Sequence, residues 1–366
     1  NGVPDEGTDV TIKGDVTLNG NGYAYGVTFD GGTLTIQNGG TLVIGEGGIT
    51  DATIENLHID GDGILAIAPG VDLKIKATID YVAKYAGKKI DAPETPTDVD
   101  QLYWEQMTVP TIEETKLTLP EVTSVFNTWD ITKAWQKVAN PETEVKDPFK
   151  GYFLTNFSAY LDDSEKAGTP KIRDTKYTFS GVLTGSQINP FGFNREGFTF
   201  FGNSCLAPMS IPELLMDLNK DDIQATIYVY QPLQGSYHTI NMATVGRGGR
   251  PVEINKLQGF FIYAYKKTNV APTYQDVIWN PLLAKQTMGK APHKAAMAIQ
   301  SEISTSATMT ITSAMGWTDD VVLFEGANFT NEFDQNYDAQ KMNGKHINMY
   351  VPGTQNMAVY AVADLE

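Results

Sequence analysis

The sequence predicts an all-β protein, with a short N-terminal β-solenoid followed by two β-sandwich modules. Three observations carry this. Apolar and polar residues alternate over many runs of four to eight residues, the period of a half-buried strand. Turn signals rich in Gly, Asn and Pro separate those runs at the spacing of a sandwich. Glycine is also concentrated, with 16 of the 34 falling in residues 1–70. At about 100 to 200 residues per domain, 366 residues make two or three units with ample length to bury cores.

Residues 1–80 form the Gly-rich unit, and the first 70 of them hold ten acidic residues against one base, Lys13. Gly32-Thr33-Leu34-Thr35-Ile36 is followed eight residues later by Gly40-Thr41-Leu42-Val43-Ile44, and the pattern returns at Gly63-Ile64-Leu65-Ala66-Ile67 and at Gly70-Val71-Asp72-Leu73-Lys74-Ile75. Such strands suit stacked rungs of a solenoid or successive hairpins. The solenoid is favoured because Thr53 to Ile59 continues the alternation without a two-residue hairpin turn. At about 20 to 30 residues per repeat the segment supplies roughly three or four rungs, near the minimum for stacking.

Residues 81–124 read as a Pro-rich connector. Pro93, Pro96, Pro110 and Pro120 punctuate it, a short helix is expected around Asp98 to Met107, and Leu102, Tyr103 and Trp104 are expected to dock on a neighbour. Residues 125–290 form the first sandwich module and residues 291–366 the second. Their strands are expected at Tyr177 to Leu183, Phe198 to Phe201, Ala225 to Tyr230, Gly259 to Tyr265, Thr308 to Thr312, Val321 to Phe324 and Met357 to Val362. One helix stands out. Ser210 and Glu213 have the spacing of a capping box, and Ile211, Leu214, Leu215 and Leu218 make one apolar face. An internal duplication relates Trp129, Trp135 and Gly151-Tyr152-Phe153 to Tyr230, Tyr237 and Gly259-Phe260-Phe261. A glycine before an aromatic pair on a buried strand fits a bulge or a close backbone approach, with both copies packing their aromatics inward.

These residues resemble a family. The runs Tyr177-Thr178-Phe179-Ser180-Gly181-Val182-Leu183, Gly197-Phe198-Thr199-Phe200-Phe201-Gly202-Asn203, Ile227-Tyr228-Val229-Tyr230 and Gln258-Gly259-Phe260-Phe261 are similar to modules of large secreted surface proteins of Bacteroidetes, in which a Gly-rich β-solenoid often precedes such modules. The tail, from Phe333 to Lys341 with Asn348-Met349-Tyr350 and Met357 to Tyr360, resembles the β-sandwich that precedes a sorting domain in type IX secreted proteins. The chain departs from the pattern at Asn203-Ser204-Cys205-Leu206-Ala207-Pro208, where the family has an Asn-Pro-Tyr-Pro-like turn. It also ends without a sorting domain, and its start without Met or signal peptide fits a processed segment. The resemblance implies a non-catalytic protein of the extracellular space or outer-membrane surface of a Gram-negative bacterium, structural or adhesion-type, and carries over no site residues.

Charge narrows the function classes. Acidic residues outnumber basic ones 44 to 27, and a net charge of −17 repels nucleic acid and anionic membrane surfaces. No stretch approaches the roughly 20 apolar residues of a membrane-spanning helix. Cys205 is the lone cysteine and reads as a small hydrophobe. His58, His238, His293 and His346 lack the partner spacing of a zinc motif, and Ser204 lacks the second glycine of a nucleophile elbow. Gly246-Arg247-Gly248-Gly249-Arg250 reads as a solvated hairpin tip. Asp334, Asn336 and Asp338 start like a calcium loop, but Ala339 and Lys345 replace the required Gly and Glu, which favours loop capping. The pairs Asp162-Asp163, Asp221-Asp222 and Asp319-Asp320 read as turns, since adjacent strand residues face opposite ways. No catalytic residue, metal ligand or cofactor is therefore assigned.

What remains is the aromatics. Trp129, Trp135, Tyr230 and Tyr237 are candidate glycan contacts, with Tyr228, Phe260 and Phe261 beside them, although their period-two placement favours a packed core over a glycan platform. The expected partner is a glycan or a surface protein, and carbohydrate binding accessory to glycan capture is the second functional reading.

Overall fold

A computed structural model of the chain describes residues 4–5, 7–68, 71, 75–87, 102–121, 124–130, 132, 134–156, 175–184, 193, 196–218, 222–266, 291–314, 316–334, 337–353 and 355–363. Over these residues the protein is mostly β, with 24 strands and three short helices.

The Gly-rich unit holds eight strands that alternate between two sheets. One sheet takes β1 (Asp9–Ile12), β3 (Asn21–Phe29), β5 (Thr41–Thr50) and β7 (Ile64–Ile67), and the other β2 (Val16–Leu18), β4 (Leu34–Ile36), β6 (Leu57–Ile59) and β8 (Lys76–Ala83). All neighbours within this run are parallel, so Leu18, Ile36 and Ile59 line up across one sheet and Thr41 stands beside Ile64 in the other. Successive hairpins do not fit parallel registers, because hairpin neighbours run antiparallel. The eight-residue spacing between Gly32 and Gly40 is thus the step from one sheet to the other. Ile12, Phe29, Ile36, Ile44, Ile59, Ile67 and Ile79 fill the space between the sheets. Glycine is needed at the corners because adjacent turns touch there. A Cβ at Gly40 would overlap the Leu18 carbonyl oxygen and one at Gly63 the Ile36 carbonyl oxygen.

This stack does not end in solvent on its C-terminal side. Leu183, Leu206 and Leu257 close its apolar interior, and the Leu65 N–H donates to the Leu206 carbonyl at 3.0 Å. The second sheet continues instead of stopping. β8 pairs in parallel with β6 on one edge and antiparallel with β14 (Thr175–Leu183) on the other, and β14 pairs with β10 (Thr111–Thr118). The described residues of the segment expected as a connector are therefore largely built into sheets. Glu105–Met107 form strand β9 and not the end of a helix, and Leu102, Tyr103 and Trp104 are buried as expected.

Beyond it the body is layered and sandwich-like. β9, β11 (Ser124–Asp130), β12 (Ala134–Lys137) and β13 (Tyr152–Asn156) make one antiparallel sheet, ordered β12-β11-β13-β9, with the one-turn helix α1 (Pro141–Glu144) following β12. β15 (Gly197–Gly202), β17 (Ile223–Gln231), β18 (Ser236–Ile240) and β20 (Gly259–Ala264) make the next, ordered β15-β20-β17-β18. Alternation along the strands sorts their residues. Phe126, Tyr152 and Leu154 pack toward Tyr177 and Phe179 of the long mixed sheet, while Val125 and Phe153 pack toward Phe200, Tyr228, Tyr230 and Phe261. On the far face, Phe201, Ile227, Val229 and Phe260 meet helix α2 (Ile211–Leu218), set between β16 (Met209–Ser210) and its partner β19 (Glu253–Ile254) in the two-stranded sheet. The four apolar residues foreseen for α2 are all buried, but the Ser210 hydroxyl has no partner, so the expected capping bond is not made.

The described C-terminal strands form one sheet. After helix α3 (Ala291–Ser301) come β21 (Thr305–Thr312), β22 (Thr318–Glu325), β23 (Ala339–Gln340) and β24 (Met357–Val362), ordered β21-β22-β24-β23. Val322, Phe324, Phe329, Tyr337 and Val359 pack there against Ala243. β21 is an edge strand with all eight residues exposed. Asp319 and Asp320 lie within β22, contrary to the turn expected. Asp319 is fully buried against the Lys341 ammonium at 2.5 Å and also accepts the Met349 N–H at 2.6 Å, while Asp320 accepts from Arg250 at 2.9 Å.

Gly63→Ala is expected to lower stability by about 1 to 3 kcal/mol, the cost of forcing a methyl into filled space, whereas Gly20→Ala, with nothing within 4 Å of its added Cβ, changes little. Urea denaturation of the two variants measures the contrast.

Candidate functional site

The four candidate aromatics fall into two groups. Trp129 and Trp135 are cross-strand partners on β11 and β12, with ring centroids 4.9 Å apart. Trp129 donates from Nε1 to the Phe198 carbonyl at 2.8 Å, and Trp135 is 37% exposed while its ring also meets Phe153, Phe200 and Phe261. Tyr230 and Tyr237 are only 5% and 4% exposed and their rings lie 5.3 Å apart inside the layer. Burial pushes both hydroxyls up from the usual tyrosine range. A sugar needs an open ring face for stacking, so as glycan contacts Tyr230 and Tyr237 are corrected to core residues.

Phe200 sits at the centre of that layer. Its ring stacks on Phe261 at 4.2 Å and 2°, and a Cβ at either Gly151 or Gly259 would run into it. The two glycines of the sequence duplication therefore serve one contact.

The other singled-out residues also find structural work. Ser204 is fully buried, its hydroxyl accepting the Phe149 N–H at 2.6 Å and lying 3.0 Å from the Thr108 hydroxyl. The neighbouring Cys205 thiol is pushed up to about 12 by burial. Gly246, Gly248 and Gly249 are exposed in a turn, as expected of a solvated tip, whereas Arg250 is buried and donates to Asp320 and to the Thr239 carbonyl. Asp338 is buried and accepts the N–H groups of Asp334 and Ala361 at 2.8 and 2.7 Å, which is loop capping. Asn336, Asp162, Asp163, Asp221 and the side chain of His293 lie outside the described residues.

His58 gains partners that its sequence neighbourhood hides. Its Nε2 lies 3.3 Å from Asp80 and 3.5 Å from Asp60, a cluster with the donor set of a cation site. The Lys176 ammonium already reaches Asp80 at 3.0 Å and the Thr178 hydroxyl donates to it at 2.8 Å, so the Asp80 carboxylate is already paired with a positive charge.

A concave feature opens where the parallel stack meets the body. It is a cavity of about 560 Å³, within the roughly 300 to 1,000 Å³ of ordinary ligand sites. Gly61, Asp62 and Ile64 come from a corner of the stack, Tyr81, Lys84 and Tyr85 from the end of β8, Glu105 and Gln106 from β9, and Glu253, Asn255, Lys256 and Gln258 from the segment around β19. Its polar groups are tied in a definite way. The buried Glu105 carboxylate accepts the Tyr85 N–H at 2.6 Å and the Tyr81 hydroxyl at 3.4 Å, and Lys84 pairs with Asp62 at 2.7 Å. The Lys256 ammonium donates to the carbonyls of Gly63 and Asp60, and burial pulls it down to about 8 against the opposing pull of Asp62, Asp60 and Asp80. Burial raises Glu253. Gln106, 6% exposed, accepts the Tyr230 N–H at 3.0 Å through Oε1 and leaves Nε2 without a partner. Tyr230, foreseen as a glycan contact, borders the cavity from β17; the other residues named here were not foreseen as a site, because they come from separate segments with no local motif.

Among the described residues no helix is long and apolar enough to cross a membrane. Scans against protein-family models, curated proteins and solved structures each return no match to this chain.

One buried titratable group predicts a pH dependence. Burial, reinforced by Arg250, lowers His238 to about 4, against about 6.5 in the unfolded chain. The unfolded state therefore binds more protons between these values, and the stability present above pH 6.5 is lost as pH falls toward 4. His238→Gln is expected to flatten that part of the curve, read from chemical denaturation midpoints at pH 7 and pH 5.

Proposed function

We propose that this chain is a non-catalytic extracellular surface protein, structural or adhesion-type, that holds a contact surface on a rigid β scaffold. In this reading the parallel stack is a short β-solenoid acting as a spacer, and the layered body with the C-terminal sheet are sandwich modules of the kind found in secreted surface proteins of Bacteroidetes. The observation that carries the proposal is the shared strand β8. Hydrogen bonds run through one sheet from β2 to β10, so a load or contact at one end is transmitted through backbone pairing and not through a flexible linker. The charge of −17 agrees with a protein kept soluble and away from anionic surfaces.

A second reading, carbohydrate capture, is favoured by the cavity at the junction, where tyrosines, amides and carboxylates converge. Under it the scaffold presents a glycan site.

Immobilised mucin, extracellular-matrix proteins and whole cells probed with the purified chain are expected to give saturable binding to at least one surface. No binding to any of them, together with cytoplasmic residence of the native protein by cell fractionation, overturns the proposal.

A further inference from the structure

We infer that the junction cavity is a binding site for a neutral saccharide, with Tyr85 as the stacking face and Glu253, Gln106 and Lys256 as the hydrogen-bonding groups. The inference rests on the carbohydrate-capture reading and assigns its site. Four features of the cavity point to this ligand class.

The first is an unsatisfied donor. Gln106 lines the cavity, is more than nine-tenths buried, and spends its Oε1 on the Tyr230 N–H while its Nε2 has no partner. Buried polar groups without partners are few in folded proteins, and rotation of the Gln106 amide toward the cavity would let a ligand hydroxyl satisfy this one. The second is the aromatic face. Tyr85 is 38% exposed at the cavity wall, unlike the buried Tyr230 and Tyr237, and its backbone N–H is fixed by Glu105. The third is charge. Asp62, Glu105 and Glu253 oppose Lys84 and Lys256 on the wall, and Asp62 and Lys84 already neutralise each other. The remainder, Glu105 and Glu253 against Lys256, is slightly negative, which disfavours an anion, while the Lys256 ammonium disfavours a cation. A neutral polyol, which donates to carboxylates and accepts from amides and ammonium groups, fits this mixture. The fourth is construction. Lys256 ties the carbonyls of the stack corner to the body, so the walls are held before a ligand arrives.

The test is a titration of the whole chain with neutral oligosaccharides (cellotetraose, xylotetraose, maltotetraose, mannotetraose and N-acetyllactosamine), with trigalacturonic acid and spermidine as charged arms. Tyr85→Ala and Glu253→Gln serve as cavity variants, Trp135→Ala as a control at an exposed aromatic outside the cavity, and unchanged thermal midpoints establish that each folds. The expected result is binding of at least one neutral oligosaccharide, weakened about tenfold or more by Glu253→Gln, as loss of a hydrogen bond to a charged group implies, weakened several-fold by Tyr85→Ala through loss of the stacking face, and unaffected by Trp135→Ala. Neutral-saccharide binding that survives both cavity variants overturns the site but leaves glycan capture standing. Preferential binding of trigalacturonic acid or spermidine, lost in the cavity variants, overturns the ligand class. A wild-type chain that binds none of the neutral oligosaccharides overturns the site and the carbohydrate reading together.

Discussion

The architecture depends on β8, a strand with two kinds of neighbour. On one edge it completes a parallel register with β6, placing Thr78 beside His58. On the other it accepts β14 antiparallel over eight residue pairs, from Ala83 opposite Thr175 to Lys76 opposite Val182. A parallel stack of short strands has open ends that must be covered, because each unpaired rung leaves apolar residues and backbone groups without partners. Here the body supplies the cover. Leu183, Leu206 and Leu257 close the interior and Leu206 satisfies an N–H of β7. Neither half is therefore complete at this interface without the other, and the junction cavity exists because two differently built units meet along one strand.

The body relies on a second constraint, the space around the Phe200 ring. Phe153, Phe261 and Trp135 surround it, with Gly151 and Gly259 pressed on it from neighbouring strands. Each such aromatic pair adds about 0.5 to 1.5 kcal/mol beyond its buried area. The layer that results is dense, which explains why Tyr230 and Tyr237 are core and why Trp135, with the most exposed of the rings around Phe200, lies at its margin.

Strand positions were legible in the sequence because alternation is a local property. The runs at Tyr177, Phe198, Ala225, Gly259, Val321 and Met357 all became strands, and the apolar face of Ile211 to Leu218 became a buried helix face. Pairing was not legible in the same way. Nothing near Lys76 to Ala83 says that its partner lies near Thr175, and the proline content of residues 81–124 concealed β9 and β10. The acidic pair at β22 read as a turn because its buried partners, Lys341 and Arg250, are distant in sequence. The cavity was invisible for the same reason, since Tyr85, Gln106 and Lys256 meet only through the sheet topology. Burial was the quantity that alternation left open for the aromatics, and coordinates alone separated Trp135 from Tyr237.

The edge strand β21 bears on how copies of this chain behave toward each other. Its eight residues, Thr305 to Thr312, carry no charge and no proline, and they include the exposed Met309 and Ile311. Such an edge is a template for strand addition that many proteins blunt with lysine or a bulge. This chain has no such guard on the strand, but it carries seventeen net negative charges elsewhere. Colloidal repulsion then does what local sequence does not, and its reach is set by the medium, falling from about 10 Å at 0.1 M salt to about 3 Å at 1 M. Ionic strength thereby becomes the variable that governs whether neighbouring molecules stay apart or meet edge to edge.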